Sequence, residues 1–173
     1  MIHFSEQIAN LLSLVSLFLG SLFGLPFPPS PPSSTVMGTT TALVTKVIDG
    51  DTIDIIVDGT TEPIRVRYIG VDTPEPYSKG QPECGSHEAT GRNTELVDGK
   101  IVTIVPGIDP SDTYGRLLAY VYVGDQFVNQ ALVAEGYASV MMFKPNTQYK
   151  KDFTTLDNQA RRDKLGIWAT CQK

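Results

Sequence analysis

The chain predicts a small α+β domain, mainly β with helices packed on it, behind an apolar and proline-rich N-terminal segment. Three observations predict this class. Short runs of strand-like residues crowd the region after Thr41, helical spacing is confined to later segments, and strands and helices do not alternate regularly. With 173 residues and 41% hydrophobic content there is room for one compact domain plus an appendage.

The N-terminal segment differs sharply from the rest. From Leu11 to Leu25 it holds only apolar residues, Ser and Gly, and then Pro26, Pro28, Pro29, Pro31 and Pro32 follow. The run from about Ile8 to Phe27 approaches the roughly 20 residues that a membrane-spanning helix needs. No Lys or Arg occurs before Lys46, so no charge asymmetry orients the run, and no small-x-small site marks a cut. The expected organisation is a signal peptide or membrane signal anchor over 1–27, a Pro/Ser/Thr-rich tether over 28–41, and the domain over 42–173. The chain is expected to be exported, either secreted or tethered to the outer face of the cell membrane, with the apolar segment as its membrane contact if uncleaved.

Within the domain, Ala42 to Ile48 and Thr52 to Val57 read as strands, with Asp58-Gly59 as a hairpin turn signal. Ile64 to Ile69 is a third strand, in which Ile64, Val66 and Tyr68 alternate with Arg65 and Arg67, so both arginines share one face. Residues 74 to 86 have no apolar period and read as a loop. A helix follows with Ser86 as its cap, running to Val97 with Gly99 just beyond. Ile101 to Val105 and Leu117 to Val123 are strands, and Val128 to Glu135, closed by Gly136, is a short helix.

Lys144-Pro145 interrupts the chain, and a last helix carries Tyr149, Phe153, Leu156 and Ala160 at helical spacing, a core stripe. Leu165, Ile167 and Trp168 extend that anchor to the C-terminus. A small, mostly antiparallel barrel with helices packed on it meets this order, and the OB-fold is one such barrel.

Cys84 and Cys171 lie too far apart in sequence for a zinc knuckle or a CxxC redox motif. In an exported chain they are either a disulfide, which the chain-entropy model values at roughly 4 to 5 kcal/mol for so long a loop, or two free thiols. A net charge of −5 argues against a broad nucleic-acid-binding surface, which is usually basic, but not against a small site charged by a metal. Nothing in the pattern points to a dimer interface, and a monomer is expected.

The segments Ile48-Asp49-Gly50-Asp51-Thr52 and Arg67 to Glu75 crowd carboxylates and an arginine together. Carboxylates at close range repel, so a fold keeps them together if a cation neutralises them or if they face apart in water. A hard cation takes oxygen ligands and lets water or phosphate fill the rest, so few protein ligands suffice. His3 and His87 are the only histidines, which leaves no histidine pair for acid-base chemistry and makes a carboxylate the obvious base. Asp49 and Asp51 taken alone would be turn residues, Arg116 a solvated residue or a partner of Asp112, and Asp54, Arg65, Asp98 and Lys100 solvated surface.

From about Thr41 to Trp168 the chain resembles the staphylococcal nuclease, or thermonuclease, family. The matching segments are Ile48-Asp-Gly-Asp-Thr52, Arg67 with Val71-Asp-Thr-Pro-Glu75, Tyr114-Gly-Arg116 with Leu118-Ala-Tyr120, Val128-Asn129 with Ala131-Leu-Val133, Lys144-Pro-Asn146 and Gly166-Ile-Trp168. Several such segments in one order are specific, whereas Asp-Gly-Asp alone is weak.

The resemblance implies a five-stranded OB-fold barrel and a Ca2+-dependent phosphodiesterase that cleaves DNA and RNA with little sequence preference, leaving 3'-phosphate ends. It implies Asp51 and Asp72 as calcium carboxylates, with Thr73 giving a backbone carbonyl. Glu75 matches the carboxylate that activates or orients water, Arg67 and Arg116 the phosphate-binding arginines, and Tyr114 a tyrosine near the nucleotide phosphate. The chain departs from the family pattern at Thr113, where a lysine is expected, and at Met141-Met142-Phe143, which replaces a longer aromatic segment. Phe143 reads there as a core strand residue before a base-stacking one. Two rival readings are a non-catalytic OB-fold module that binds nucleic acid or protein, and an extracellular domain in which calcium only stabilises the fold.

Overall fold

The structure is a computed structural model and describes residues 38–77 and 80–171. The expected signal or anchor and most of the expected tether lie outside these residues. Among the described residues no helix is long and apolar enough to cross a membrane.

In chain order the elements are β1 (Thr40–Val47), β2 (Thr52–Val57), β3 (Ile64–Tyr68), β4 (Gly70–Asp72), α1 (Ser86–Val97), β5 (Ile101–Ser111), β6 (Leu117–Val123), β7 (Gln126–Phe127), α2 (Val128–Ala134), β8 (Ser139–Met141), α3 (Lys150–Arg162) and α4 (Ile167–Thr170). The first strand therefore takes in Thr40 and Thr41, which the expected tether had included. Five strands in the order β3-β2-β1-β5-β6 form a barrel that closes by pairing β3 with β6, and β7 extends β6 as a hairpin. The expected five-stranded OB-fold barrel with packed helices is the fold found.

The closing contact, β3 with β6, is parallel, and every other pairing in the barrel is antiparallel. It sets Arg67 opposite Leu118, so Arg116, one residue before β6, comes to the same end of the barrel as Arg67. Alternation explains which faces are buried. In β1, Ala42 and Val44 are buried between exposed Thr41, Leu43 and Thr45. In β3, Val66 and Tyr68 fill the core while the arginines stand on the other face. Leu96, Val97, Val128, Leu132, Val133 and Phe153 bring the helices onto the same core.

Two expected elements are corrected. Strand β5 does not stop at Val105 but continues to Ser111, despite Pro106 and Pro110. Its pairing with β1 ends at Ile104, so later residues face no β1 partner, and its register with β6 shifts between Pro106 and Ser111, where a missing N–H costs little. The cap of α1 is Gly85, not Ser86, which is the helix's first residue. Gly85 has φ +85° and packs against Ile167 and Cys171, a backbone state and a space that a side chain would not share. Lys100 is also not merely solvated: its Nζ donates to the carbonyls of Glu95 and Leu96 at the end of α1.

Buried asparagines fasten the connections that lead to the acidic cluster. Asn129 Oδ1 accepts from the Val121 N–H, while its Nδ2 donates to the carbonyls of Ile69 and Ala119. These bonds fix the chain where β3 turns into β4. Asn129→Ala would orphan buried backbone groups and should destabilise the protein by about 3 kcal/mol, read from the urea midpoint. A loss below about 1 kcal/mol would mean that these groups find other partners.

Candidate active site

The β1–β2 turn is built to present a carboxylate inward. Asp49 Oδ1 accepts from the Asp51 N–H at 3.0 Å, an Asx turn that aims Asp51 into the protein, where it is 1% exposed. The need for Gly50 is steric: a Cβ there would lie 2.6 Å from Thr73 Oγ1. Thr73 takes that space and donates to Asp51 Oδ2 from its backbone N–H, at 2.9 Å, and from its hydroxyl, at 3.0 Å. A helix holds the turn from behind, since Tyr68 Oη donates to Asn93 Oδ1 and Asn93 Nδ2 donates to the Asp49 carbonyl.

Asp72 arrives on a second scaffold. Strands β4 and β8 form a two-stranded ribbon in which Asp72 faces Ser139. Arg67 joins the two carboxylates: Nη1 lies 2.9 Å from Asp51 Oδ2, and Nη2 lies 3.4 Å from Asp72 Oδ1. Nη1 also donates to the carbonyls of Val71, at 2.6 Å, and Tyr68, at 3.2 Å. Arg65, two residues away on the same strand face, instead pairs with Asp54, at 2.9 and 3.0 Å, so neither of those two is simple solvated surface.

Burial dominates the acidity of Asp51 and pushes its carboxyl up to about 7; the Arg67 charge opposes this, Asp49 adds to it, and the Thr73 hydrogen bonds lower it. A buried carboxylate in that condition calls for positive charge. Glu75, though exposed, is also raised, first by burial, then by the Asp49 charge, with Arg67 opposing and Asp72 and Glu83 adding. Five carboxylates, Asp49, Asp51, Asp72, Glu75 and Glu83, thus act on this site, of which the family resemblance implied roles for Asp51, Asp72 and Glu75. Asp49 is both the turn residue that its type suggests and a charge on the site, and Glu83 sits in a loop that carries no period to place it. Among the described residues no cluster of three or more His, Cys, Asp and Glu side chains forms a ready-made cage for a metal ion. Asp51, Asp72 and the Thr73 backbone nevertheless offer the hard oxygens that calcium prefers, at a carboxylate that burial leaves short of positive charge, so the donor set fits such an ion with water or phosphate completing it.

Beside Arg67 lies a groove of about 550 Å3, lined among others by Tyr114, Arg116, Leu118, Met141 and Phe143. Arg116 donates through Nε to Asp112 Oδ2 at 2.7 Å, and its guanidinium carbon lies 5.4 Å from the Tyr114 ring centroid. Asp112 also accepts from the backbone N–H groups of Tyr114 and Arg116, which folds the β5–β6 turn around it. Burial alone would raise Asp112, but these bonds and the Arg116 charge outweigh it and hold the carboxyl below its usual range. Tyr114 is 83% exposed and Phe143 73% exposed. The expectation of Phe143 in the core is thus corrected: β8 ends at Met141, and the following residues leave the sheet.

Cys84 and Cys171 are joined in a disulfide with Cα atoms 5.7 Å apart. Of the residues singled out, Arg67, Asp51, Thr73 and Asp72 meet directly, Glu75 lies within electrostatic reach of Arg67, and Tyr114 and Arg116 share the groove with Arg67. His87 is exposed near the start of α1, away from this chemistry.

The two β3 arginines make a matched pair for a stability test without divalent ions. Arg67→Gln leaves Asp51 buried without its cation and should cost about 3 kcal/mol of unfolding free energy, measured with a chelator present. Arg65→Ala, at a largely exposed pair, should cost under about 1 kcal/mol. Equal losses would mean that Arg67 does not carry the neutralisation of Asp51.

A family model described as staphylococcal nuclease homologue matches residues 65–170, a span that begins after the Asp49 to Asp51 turn. Among curated proteins, the endonuclease YncB of Bacillus subtilis (strain 168) is 44% identical over 129 residues, covering 72% of this chain and 59% of that protein. The SPbeta prophage-derived endonuclease YokF of the same strain is 41% identical over 129 residues, covering 72% of this chain and 42% of the relative. The chain thus spans less than two thirds of the length of either endonuclease. The thermonuclease of Staphylococcus intermedius is 39% identical over 137 residues, covering 79% of this chain and 80% of that protein. Matched by the family model over more than half of its length, and by a thermonuclease across four fifths of the relative, the chain belongs to the staphylococcal nuclease family.

Proposed function

We propose that the protein is a calcium-dependent phosphodiesterase that hydrolyses DNA or RNA with low sequence specificity and leaves 3'-phosphate ends. One observation carries the reading: Arg67 bridges the buried Asp51 and Asp72 at the edge of a groove that also holds Arg116 and Tyr114. The family assignment and the nuclease names of three relatives support it.

In this reading Asp51, Asp72 and the Thr73 carbonyl hold the calcium ion. Bound there, calcium would offset the carboxylate charge and polarise a phosphoryl oxygen. Among the described residues Asp49, Asp51, Asp72, Glu75 and Glu83 outnumber Arg67 and Arg116, and Arg116 is itself paired with Asp112, so negative charge gathers where a phosphodiester would bind. Glu75 takes a proton from water as the water oxygen bonds to phosphorus. The bond from phosphorus to the 5'-oxygen breaks, its electron pair goes to that oxygen, and solvent supplies the proton, which leaves the phosphate on the 3' side.

Arg116 suits the phosphate, because only its Nε is hydrogen-bonded among the described residues and its two terminal nitrogens remain for the developing oxyanion. Arginine holds its charge throughout and donates in a planar fork that lysine lacks. Tyr114 and Phe143 expose flat faces to the groove, which suits bases that are unstacked and read without sequence preference.

We further propose that the protein acts outside the reducing cytosol, a reading supported by the Cys84–Cys171 bridge and by the apolar N-terminal run in the sequence. The non-catalytic binding module remains the rival, and it gives Glu75 no chemical task.

Purified full-length chain should release acid-soluble nucleotides from single-stranded DNA with calcium and not with a chelator. Glu75→Gln should lower turnover at least about a hundredfold with the melting temperature nearly unchanged. Hydrolysis indifferent to that substitution would remove the water-activating role, and no hydrolysis by folded wild-type chain would favour the binding module. Arg116→Lys should lower turnover far more than calcium affinity, followed by titration calorimetry; equal effects would count against a phosphate role.

A further inference from the structure

Glu75 follows β4 and Pro74 at the start of the loop that leads to α1. Its N–H donates to a Glu83 carboxylate oxygen at 3.1 Å, and its carbonyl accepts from the Glu83 N–H at 2.9 Å. Two bonds to one residue fix both the position and the direction of the peptide that carries the Glu75 side chain. This pairing lies on an exposed surface, where backbone groups satisfied by water would be the ordinary outcome.

Glu83 is itself mounted rigidly. Cys84, the next residue, is bridged to Cys171 at the end of α4, and the Glu83 carbonyl accepts from the N–H of Ser86, the first residue of α1, at 3.1 Å. The Gly85 between them packs against Ile167, the first residue of α4, which is buried. A chain of contacts therefore runs from α4 through the disulfide to Glu83 and on to the Glu75 backbone.

We propose that Glu83, mounted by the Cys84–Cys171 bridge, is a positioning residue for Glu75, holding the backbone of the general base through its carboxylate oxygen. The proposal rests on the reading of Glu75 as that base. A reacting carboxylate displaced by about 1 Å can forfeit a large part of its rate, so a hold of this kind acts on turnover and leaves substrate binding largely alone. Glutamine at 83 keeps an oxygen that can accept the same bond, whereas alanine removes it.

The test follows full-length chain on single-stranded DNA with calcium. Glu83→Ala should lower kcat about tenfold or more while KM stays within about twofold, and Glu83→Gln should recover most of the turnover. Amide hydrogen exchange at Glu75, measured without metal or substrate, should quicken in Glu83→Ala and in the Cys84→Ser/Cys171→Ser pair, and stay near wild type in Glu83→Gln. Unchanged kcat in Glu83→Ala, or equal losses in both Glu83 variants, would overturn the positioning role. Unchanged exchange in the cysteine pair would overturn the part given to the bridge. Glu75→Gln, run in parallel, separates the two readings: full activity there removes the base assignment, while the exchange data still report whether Glu83 holds residue 75.

Discussion

Among the described residues, Arg67 is the cation that joins the carboxylates at the acidic end of the barrel. It stands on a strand of the closing seam, spans Asp51 and Asp72, and donates to the carbonyls of Tyr68 and Val71 at the bend between β3 and β4. Those partners come from three pieces of scaffold: Asp51 from the β1–β2 turn, Val71 and Asp72 from the β4–β8 ribbon, and Tyr68 from the end of β3. Removing the guanidinium would leave a nearly inaccessible carboxylate with hydrogen bonds from threonine alone, a poor exchange for a full opposite charge. The contrast with Arg65 is instructive, because the same residue type on the same strand face pairs with Asp54 directly opposite it on β2, two strands that their ladder already joins.

Arg67 does not by itself relieve the burial of Asp51. Asp51 stays raised to about 7 with Arg67 already beside it, which shows burial outweighing the pairing. Natural proteins rarely keep so unfavourable a buried group without a function for it. The stability lost at this end is offset elsewhere by the closed barrel, by Asn93 and Asn129 as internal clips, and by the disulfide that ties the C-terminus to the start of α1.

Much of this was legible in the sequence because it rests on short-range chemistry. Strand alternation in Ile64 to Tyr68, the Gly136 stop and the stripe on α3 are local patterns, and they place the barrel and the helices. The carboxylates and arginines were legible through spaced motifs. What escaped depends on register between distant segments. Pro106 and Pro110 read as strand breakers, and only the early end of β1 shows why they are tolerated in β5. Ser86 looks like a cap by type, but the close packing of Ile167 and Cys171 selects Gly85. Glu83 had no sequence signal, since its significance lies in meeting Glu75 across a loop without periodicity.

Charge finally explains why the groove is built as it is. The chain carries a net charge of −5, and the acidic cluster sits beside the groove, so long-range attraction for a polyanion is weak. Arg116 is itself partly neutralised by Asp112. What the groove offers at short range is the flat exposed rings of Tyr114 and Phe143 and the terminal nitrogens of Arg116. Neutralising part of the acidic cluster with a bound cation would weaken the field that opposes a phosphodiester.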